Sequence, residues 1–301
     1  MPIRNLSILI TCQLISATGA IVLVTLGGIV GARLTSNQAF ATLPISVMVI
    51  SVAATTVPAT LLMHAVGRKY GFALASLSAA VSALLAAYAI AFSSFAWFIV
   101  AAAVFGINMA FTQQYRFAAA ESVEQQHAAR AISIVLVGAI GGAFVGTELV
   151  KHGQFWIEYV SYAGTLVAVA LLYVVQSLLF LILGPLRGEE HDTTVRSHRP
   201  LGRIVGQPVF IVAVLGGTVA YGVMTLIMTA TPLSMNVHDG YSLEQTANVI
   251  RAHVLGMYVP SLVSGVLIER LGTVRMMAAG LIALLAASLI GLQGQTIMHY
   301  W

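Results

Sequence analysis

The side chains of this sequence that are equipped for chemistry sit inside long apolar runs. Gln13, Ser16 and Thr18 lie in the first run, and Asn108, Thr112 and Arg116 recur every four residues in a later one, with Gln113 and Gln114 beside them. Tyr173 and Gln176, then Tyr221 and Thr225, then Asn248, Arg251, His253 and Tyr258 follow in further runs. A spacing of four puts Asn108, Thr112 and Arg116 on one helical face. Amides, hydroxyls and a guanidinium are expensive in hydrocarbon, so each is a candidate for binding a solute. The plainer reading is that each bonds to backbone or to a neighbouring helix. What they offer is recognition by hydrogen bond and charge. The sequence holds no nucleophile–base pair, metal cluster or glycine-rich phosphate loop, so it predicts no enzyme, no metal site and no cofactor.

The two arginines each have two readings. Arg116 falls near the end of its run, where its stem either reaches the headgroups or faces a cavity. Arg251 lies deeper, with Glu244 seven residues earlier on the same face, so it either pairs with that acid or is available to an anionic substrate group. The acids fall in loops or at the ends of runs. A proton-coupled carrier commonly uses a buried mid-membrane carboxylate, and these runs supply none. His64 and His253 are the remaining titratable groups for such a role.

Holding these groups in place requires membrane-spanning helices. Of the 301 residues, 59% are hydrophobic and 8% charged, and the mean hydropathy is +0.93. That is too few polar side chains to coat a water-soluble globule of this size. A helix needs about 20 apolar residues to cross a bilayer. Nine runs qualify: 6–31, 40–65, 72–92, 95–115, 131–150, 160–184, 208–232, 244–268 and 276–293. The Ser93-Ser94 link makes the third and fourth a tight hairpin, and Pro58, Pro232 and Pro260 are tolerated within or at the ends of spans. Cys12 is the sole cysteine, which excludes a disulfide framework. With the N-terminus inside, ten of the 14 cations fall in inner loops, and only Arg33 and Lys151 fall in outer ones. That asymmetry sets a cytoplasmic N-terminus, and it accounts for the net charge of +4 without nucleic acid as a partner.

One charged turn appears twice. Residues 60–70 and 265–275 superpose Leu62 on Leu267, Gly67 on Gly272 and His64 on Glu269, and both end in cations. The second copy carries Gly265, Leu267, Glu269, Arg270, Gly272 and Arg275. The first keeps Leu62, Gly67, Arg68 and Lys69, with Thr60, His64 and Ala65 at the other positions. A repeat of this kind between apolar runs marks a duplicated bundle. The pattern resembles the signature loop of the major facilitator superfamily, Gly-x-Leu-Ala-Asp-Arg-x-Gly-Arg-Arg/Lys, whose relic recurs in that family after the eighth helix.

The resemblance implies an all-α polytopic bundle carrying a small solute by alternating access, in contact with membrane lipid, in a bacterial cytoplasmic (inner) membrane. It implies a six-helix half over 1–184, a cytoplasmic linker over 185–207 and a partial second half of three helices over 208–301. Nine spans are three of the family's four three-helix units. The sequence is therefore expected to be a C-terminally truncated member, with an inactive chain or partner subunit as the alternative. In the family, helices one, four, seven and ten line the cavity, which places Gln13, Asn108, Thr112 and Tyr221 there. The twin loops are implied to hold one conformational state together. Span five matches the family's antiporter signature in its glycines Gly138, Gly141, Gly142 and Gly146, but it has no proline. Those glycines are expected to serve close helix packing.

Overall fold

In hydrocarbon a chain satisfies its backbone only by forming helices or a closed barrel, and among the described residues the nine apolar runs fold as nine long helical rods. The computed structural model describes residues 2–186 and 201–301, and these contain no strand. The first six runs give α1 (Pro2–Leu34), α2 (Leu43–Val66), α3 (Arg68–Ala91), α4 (Phe95–Thr112) continued by α5 (Tyr115–Glu121), α6 (Ala128–Gly153) and α7 (Ala163–Leu181). After a short helix α8 (Leu201–Val205) come α9 (Pro208–Leu233), α10 (Leu243–Leu271), α11 (Thr273–Gly291) and a terminal turn α12 (Ile297–Tyr300). Eight spans among the described residues are long and apolar enough to cross a bilayer. The ninth rod, α10, is 29 residues long and carries Glu244, Asn248, Arg251 and His253 in its first half. The linker expected at 185–207 falls mostly on residues 187–200, including Arg187, Arg196 and Arg199, which lie outside the described residues.

Two boundaries differ from expectation. The helical face expected to carry Asn108, Thr112 and Arg116 is interrupted: α4 ends at Thr112, and Gln113 and Gln114 form a turn before α5. The sixth helix begins at Ala163 and not at 160, because Tyr162 takes a left-handed conformation, φ 71°, that ends the preceding loop. Elsewhere local chemistry sets the ends. Ser242 and Gln245 form a reciprocal capping box at the start of α10, and Ser94 caps α4.

Glycines decide which helices touch. A Cβ at Gly138 would collide with the Ile10 carbonyl oxygen, and one at Gly142 would stand 2.6 Å from both Ala17 and the Leu14 carbonyl oxygen, so α6 lies directly on α1. Gly106 lets α4 sit on the backbone of α2 at Met48. A large cluster over α1, α2, α3, α4 and α7 forms the core, with a second one nearer Gly67 around Phe72, Phe111, Tyr115 and Phe180. By contrast α9 and α11 leave their apolar side chains exposed, Val212, Leu215 and Val219 on one and Ile282, Leu285 and Leu289 on the other.

Contacts between α1–α7 and α9–α11 gather at the end away from Gly67. Gly28 on α1 meets Leu233 on α9 there, and Ile21 and Ala143 pack against Ile250 and Val254. At the same end the loop after α9 is tethered to the terminal turn: the Tyr300 hydroxyl donates to Asp239 Oδ2 at 2.5 Å, and Tyr241 donates to the Gln295 carbonyl.

Candidate functional site

The polar residues of the apolar runs divide into three groups. The first is a buried knot inside α1–α7. The Gln176 amide donates to Ser76 Oγ at 2.9 Å and to the Tyr115 hydroxyl at 3.0 Å, and its oxygen accepts from Ser16 Oγ at 3.2 Å. Tyr173 donates to the Ser16 carbonyl, and Thr112 donates to the Asn108 carbonyl and to Ser16 Oγ. One glutamine thus cross-links helices α1, α3, α5 and α7. In hydrocarbon such a satisfied network fixes one arrangement of the helices.

The structure places Asn108 and Thr112 with this knot. Asn108 is fully buried, its amide donates to the Ala75 carbonyl on α3 at 2.9 Å, and its own oxygen has no partner among the described residues. Gln13 is also buried, against Gly138 of α6. Arg116 is set apart from Asn108 and Thr112 by the turn at 113–114. It is exposed, its guanidinium lies 5.2 Å from the centre of the Phe117 ring, and it makes no ion pair among the described residues. It also lies within electrostatic reach of Tyr258 on α10, as does Tyr221 on α9.

The second group is a charged cluster at the α6–α10 seam. Arg251 Nη1 lies 3.5 Å from Glu148 Oε1, and the guanidinium stacks over Phe144 at 5.3 Å. Lys151 reaches Glu148 at 3.2 Å and Glu244 at 3.7 Å, and His152 flanks Glu148 at 3.5 Å. The pairing of Arg251 with Glu244 expected from the sequence is not made. Seven residues of helix separate the two by about 10 Å along the axis, and α6 brings Glu148 closer. Glu148 was not singled out by sequence reasoning. The signal available was its spacing of three and four from Lys151 and His152 at a helix end, with cations otherwise unmatched there.

The third group is the pair of repeated turns. Gly67 and Gly272 have nearly the same backbone, φ 82° and ψ 155° against φ 83° and ψ 152°, and each is the single residue between two helices. That region is open to glycine and strained for other residues. Beside the first turn, Arg68 pairs with Glu121 at the end of α5 at 2.5 Å, and Lys69 lies over Tyr70 at 5.7 Å. His64 is exposed on the last turn of α2. Gly265, Glu269 and Arg270 lie on the last turns of α10, and Arg275 lies on the first turn of α11. No group of residues able to hold a metal ion occurs among the described residues.

The Major Facilitator Superfamily model matches residues 7–301. The riboflavin transporter RfnT of Brucella anthropi is 35% identical over 299 residues, covering 99% of this chain and 75% of that protein. Two MFS-type transporters of Bacillus subtilis, YdeG and YddS, are each 28% identical, covering 95% of this chain and 70% and 69% of their own lengths.

Proposed function

The chain belongs to the major facilitator superfamily and is a multi-pass membrane protein, a secondary transporter of a small solute; from that premise we propose that its solute is riboflavin or a close flavin relative. The observation that carries this reading is the 35% identity to a riboflavin transporter along 99% of the chain. Tyr221 offers a ring to a planar solute, and the guanidinium groups of Arg116 and Arg251 offer hydrogen-bond donors to its oxygens.

In this reading the solute enters between a six-helix half, 1–184, and the helices of 208–301, joined by a linker at 185–207. Arg116, Tyr221 and Arg251 are the sequence-derived candidates that remain at the seam, while Gln13, Asn108 and Thr112 support it from behind. The asymmetry of cations favours a cytoplasmic N-terminus in a bacterial inner membrane, with the exposed apolar faces of α9 and α11 open to lipid or to further helices. With that orientation the Glu148–Arg251 end is the outer one. The contacts gathered there describe a form closed to the outside, and alternating access requires them to part. The twin turns, with Arg68, Lys69, Arg270 and Arg275, then lie on the inner face as its switch elements. Similarity to transporters along almost the whole chain favours transport over an inactive partner subunit.

The test is uptake of labelled riboflavin by a riboflavin-requiring bacterium that lacks its own carrier and expresses this chain. Saturable uptake, competed by unlabelled riboflavin, is the expected result. Uptake no higher than with an empty vector overturns the assignment.

A further inference from the structure

We propose that two groups of exposed rings, Tyr88, Phe92 and Trp97 in one and Phe155, Trp156 and Tyr159 in the other, form an anchor that seats one end of the protein in the headgroup and glycerol layer of a phospholipid leaflet. The anchor is separate from transport and holds for whatever solute is carried. Both groups lie at the end of the bundle away from Gly67. α3 starts beside that glycine and finishes at Ala91, so Tyr88, Phe92 and Trp97 flank the turn between α3 and α4. Phe155, Trp156 and Tyr159 follow Gly153, the last residue of α6, at the end that carries Glu148. Trp301, exposed after α12, lies at this end too, so all three tryptophans of the sequence stand there.

The segment between α6 and α7 has two faces. On the inward one, Tyr162 is buried with the Arg33 guanidinium 5.1 Å over its ring, and Val160 packs on the main core cluster. Thr165 donates to the Leu149 carbonyl at 3.1 Å, and a Cβ at Gly164 would stand 2.7 Å from the Gly153 carbonyl oxygen. The backbone is thus pinned to both helices. The outward face is Phe155, 74% exposed, with Trp156 and Tyr159, the last 93% exposed. In the other group Tyr88 lies 4.4 Å from Phe92 and edge-on to Trp97 at 6.4 Å, between ring centres.

Two surroundings are unfavourable for these rings. Facing water, they forgo the free energy of burial, and an apolar patch of this kind marks a contact. The acyl core is closed to the second group for the opposite reason. Residues 154–162 are not helical and intersperse Gln154, Glu158 and Ser161 with the rings, and hydrocarbon offers no partner to loop backbone or to a carboxylate. Between the two lies the interfacial layer, which suits an apolar ring with an N–H or O–H, and where tryptophan and tyrosine concentrate in membrane proteins. The rings also continue a lipid-facing surface. Leu74, Leu77, Val81, Leu84 and Tyr88 recur every three or four residues as one exposed stripe of α3, so the leaflet that covers the stripe reaches the ring at its end.

The test asks what surrounds a single tryptophan at each place. The purified full chain is reconstituted in vesicles of phosphatidylethanolamine and phosphatidylglycerol. Trp97→Phe with Trp301→Phe leaves Trp156 as reporter, and Trp156→Phe with Trp301→Phe leaves Trp97. Each reporter is expected to emit at shorter wavelength than free indole in water. Lipid brominated high on the acyl chain should quench it more than lipid brominated near the terminal methyl, and iodide should quench it at least about threefold less than free indole. Tyr159→Trp, with all three native tryptophans changed to Phe, gives an independent reading, and the same result is expected. Iodide quenching as strong as for free indole, with none by brominated lipid, puts the rings in water and overturns the anchor. Shielding from iodide and from both brominated lipids marks a cover of protein, a further helix or a second copy, and overturns it as well. Stronger quenching from near the terminal methyl overturns the interfacial depth.

Discussion

Arg251 on α10 meets Glu148 on α6 across the seam, Nη1 to Oε1 at 3.5 Å, with the guanidinium over Phe144. Both side chains are part exposed, 26% and 49%, so the pair is discounted for solvent and contributes about 0.5–1 kcal/mol. That still moves a two-state equilibrium roughly two- to fivefold. Glu148→Gln and Arg251→Gln are each expected to raise the rate at which a membrane-permeant thiol reagent reaches Leu255→Cys by that factor. The exchanged pair, Glu148→Arg with Arg251→Glu, should return it toward the wild type. Single variants that label at the wild-type rate exclude a role in closure.

Gln176 makes three hydrogen bonds to side chains on three other helices, so its loss strands several buried hydroxyls at once. Gln176→Leu is expected to lower stability by about 2–4 kcal/mol. The measurement is thermal unfolding in detergent, where a fall of several degrees is expected and an unchanged midpoint contradicts the cross-link.

The glycines of α6 and α11 separate packing from helix propensity. Gly142→Ala drives a methyl into Ala17 and the Leu14 carbonyl, whereas a methyl at Gly280 meets nothing within 4 Å. Gly142→Ala should destabilise the α1–α6 pair, while Gly280→Ala should be neutral or stabilising by up to about 1 kcal/mol. Equal midpoints for the two proteins would show that α6 does not lie as close to α1 as described.

At Gly272 no neighbour obstructs a side chain, so any penalty comes from φ 83° alone. Gly272→Ala is expected to cost about 1–3 kcal/mol, and Gly67→Ala about the same, because the two backbones match. A large difference between these two variants in the melting midpoint would deny that the turns are equivalent.

Much of the fold was legible in the sequence, because a bilayer leaves so few alternatives. Apolar length gave nine rods, and the twin glycine turns revealed the repeat. The site was less legible, for a definite reason. Spacing along one helix foretold that Arg251 and Glu244 share a face, but which acid pairs with the arginine depends on how α6 approaches α10, and local sequence does not encode that. The same holds for Asn108, whose amide is taken by a carbonyl of α3. Arg116 escaped the face it was assigned because the turn at Gln113–Gln114 breaks the helical phase that the spacing argument assumes.

The single-residue corners at Gly67 and Gly272 leave no slack between the rods they join. The last turn of α2 is therefore held within one residue of the first turn of α3, and α10 likewise to α11, so each pair can pivot about its glycine but cannot part at that end.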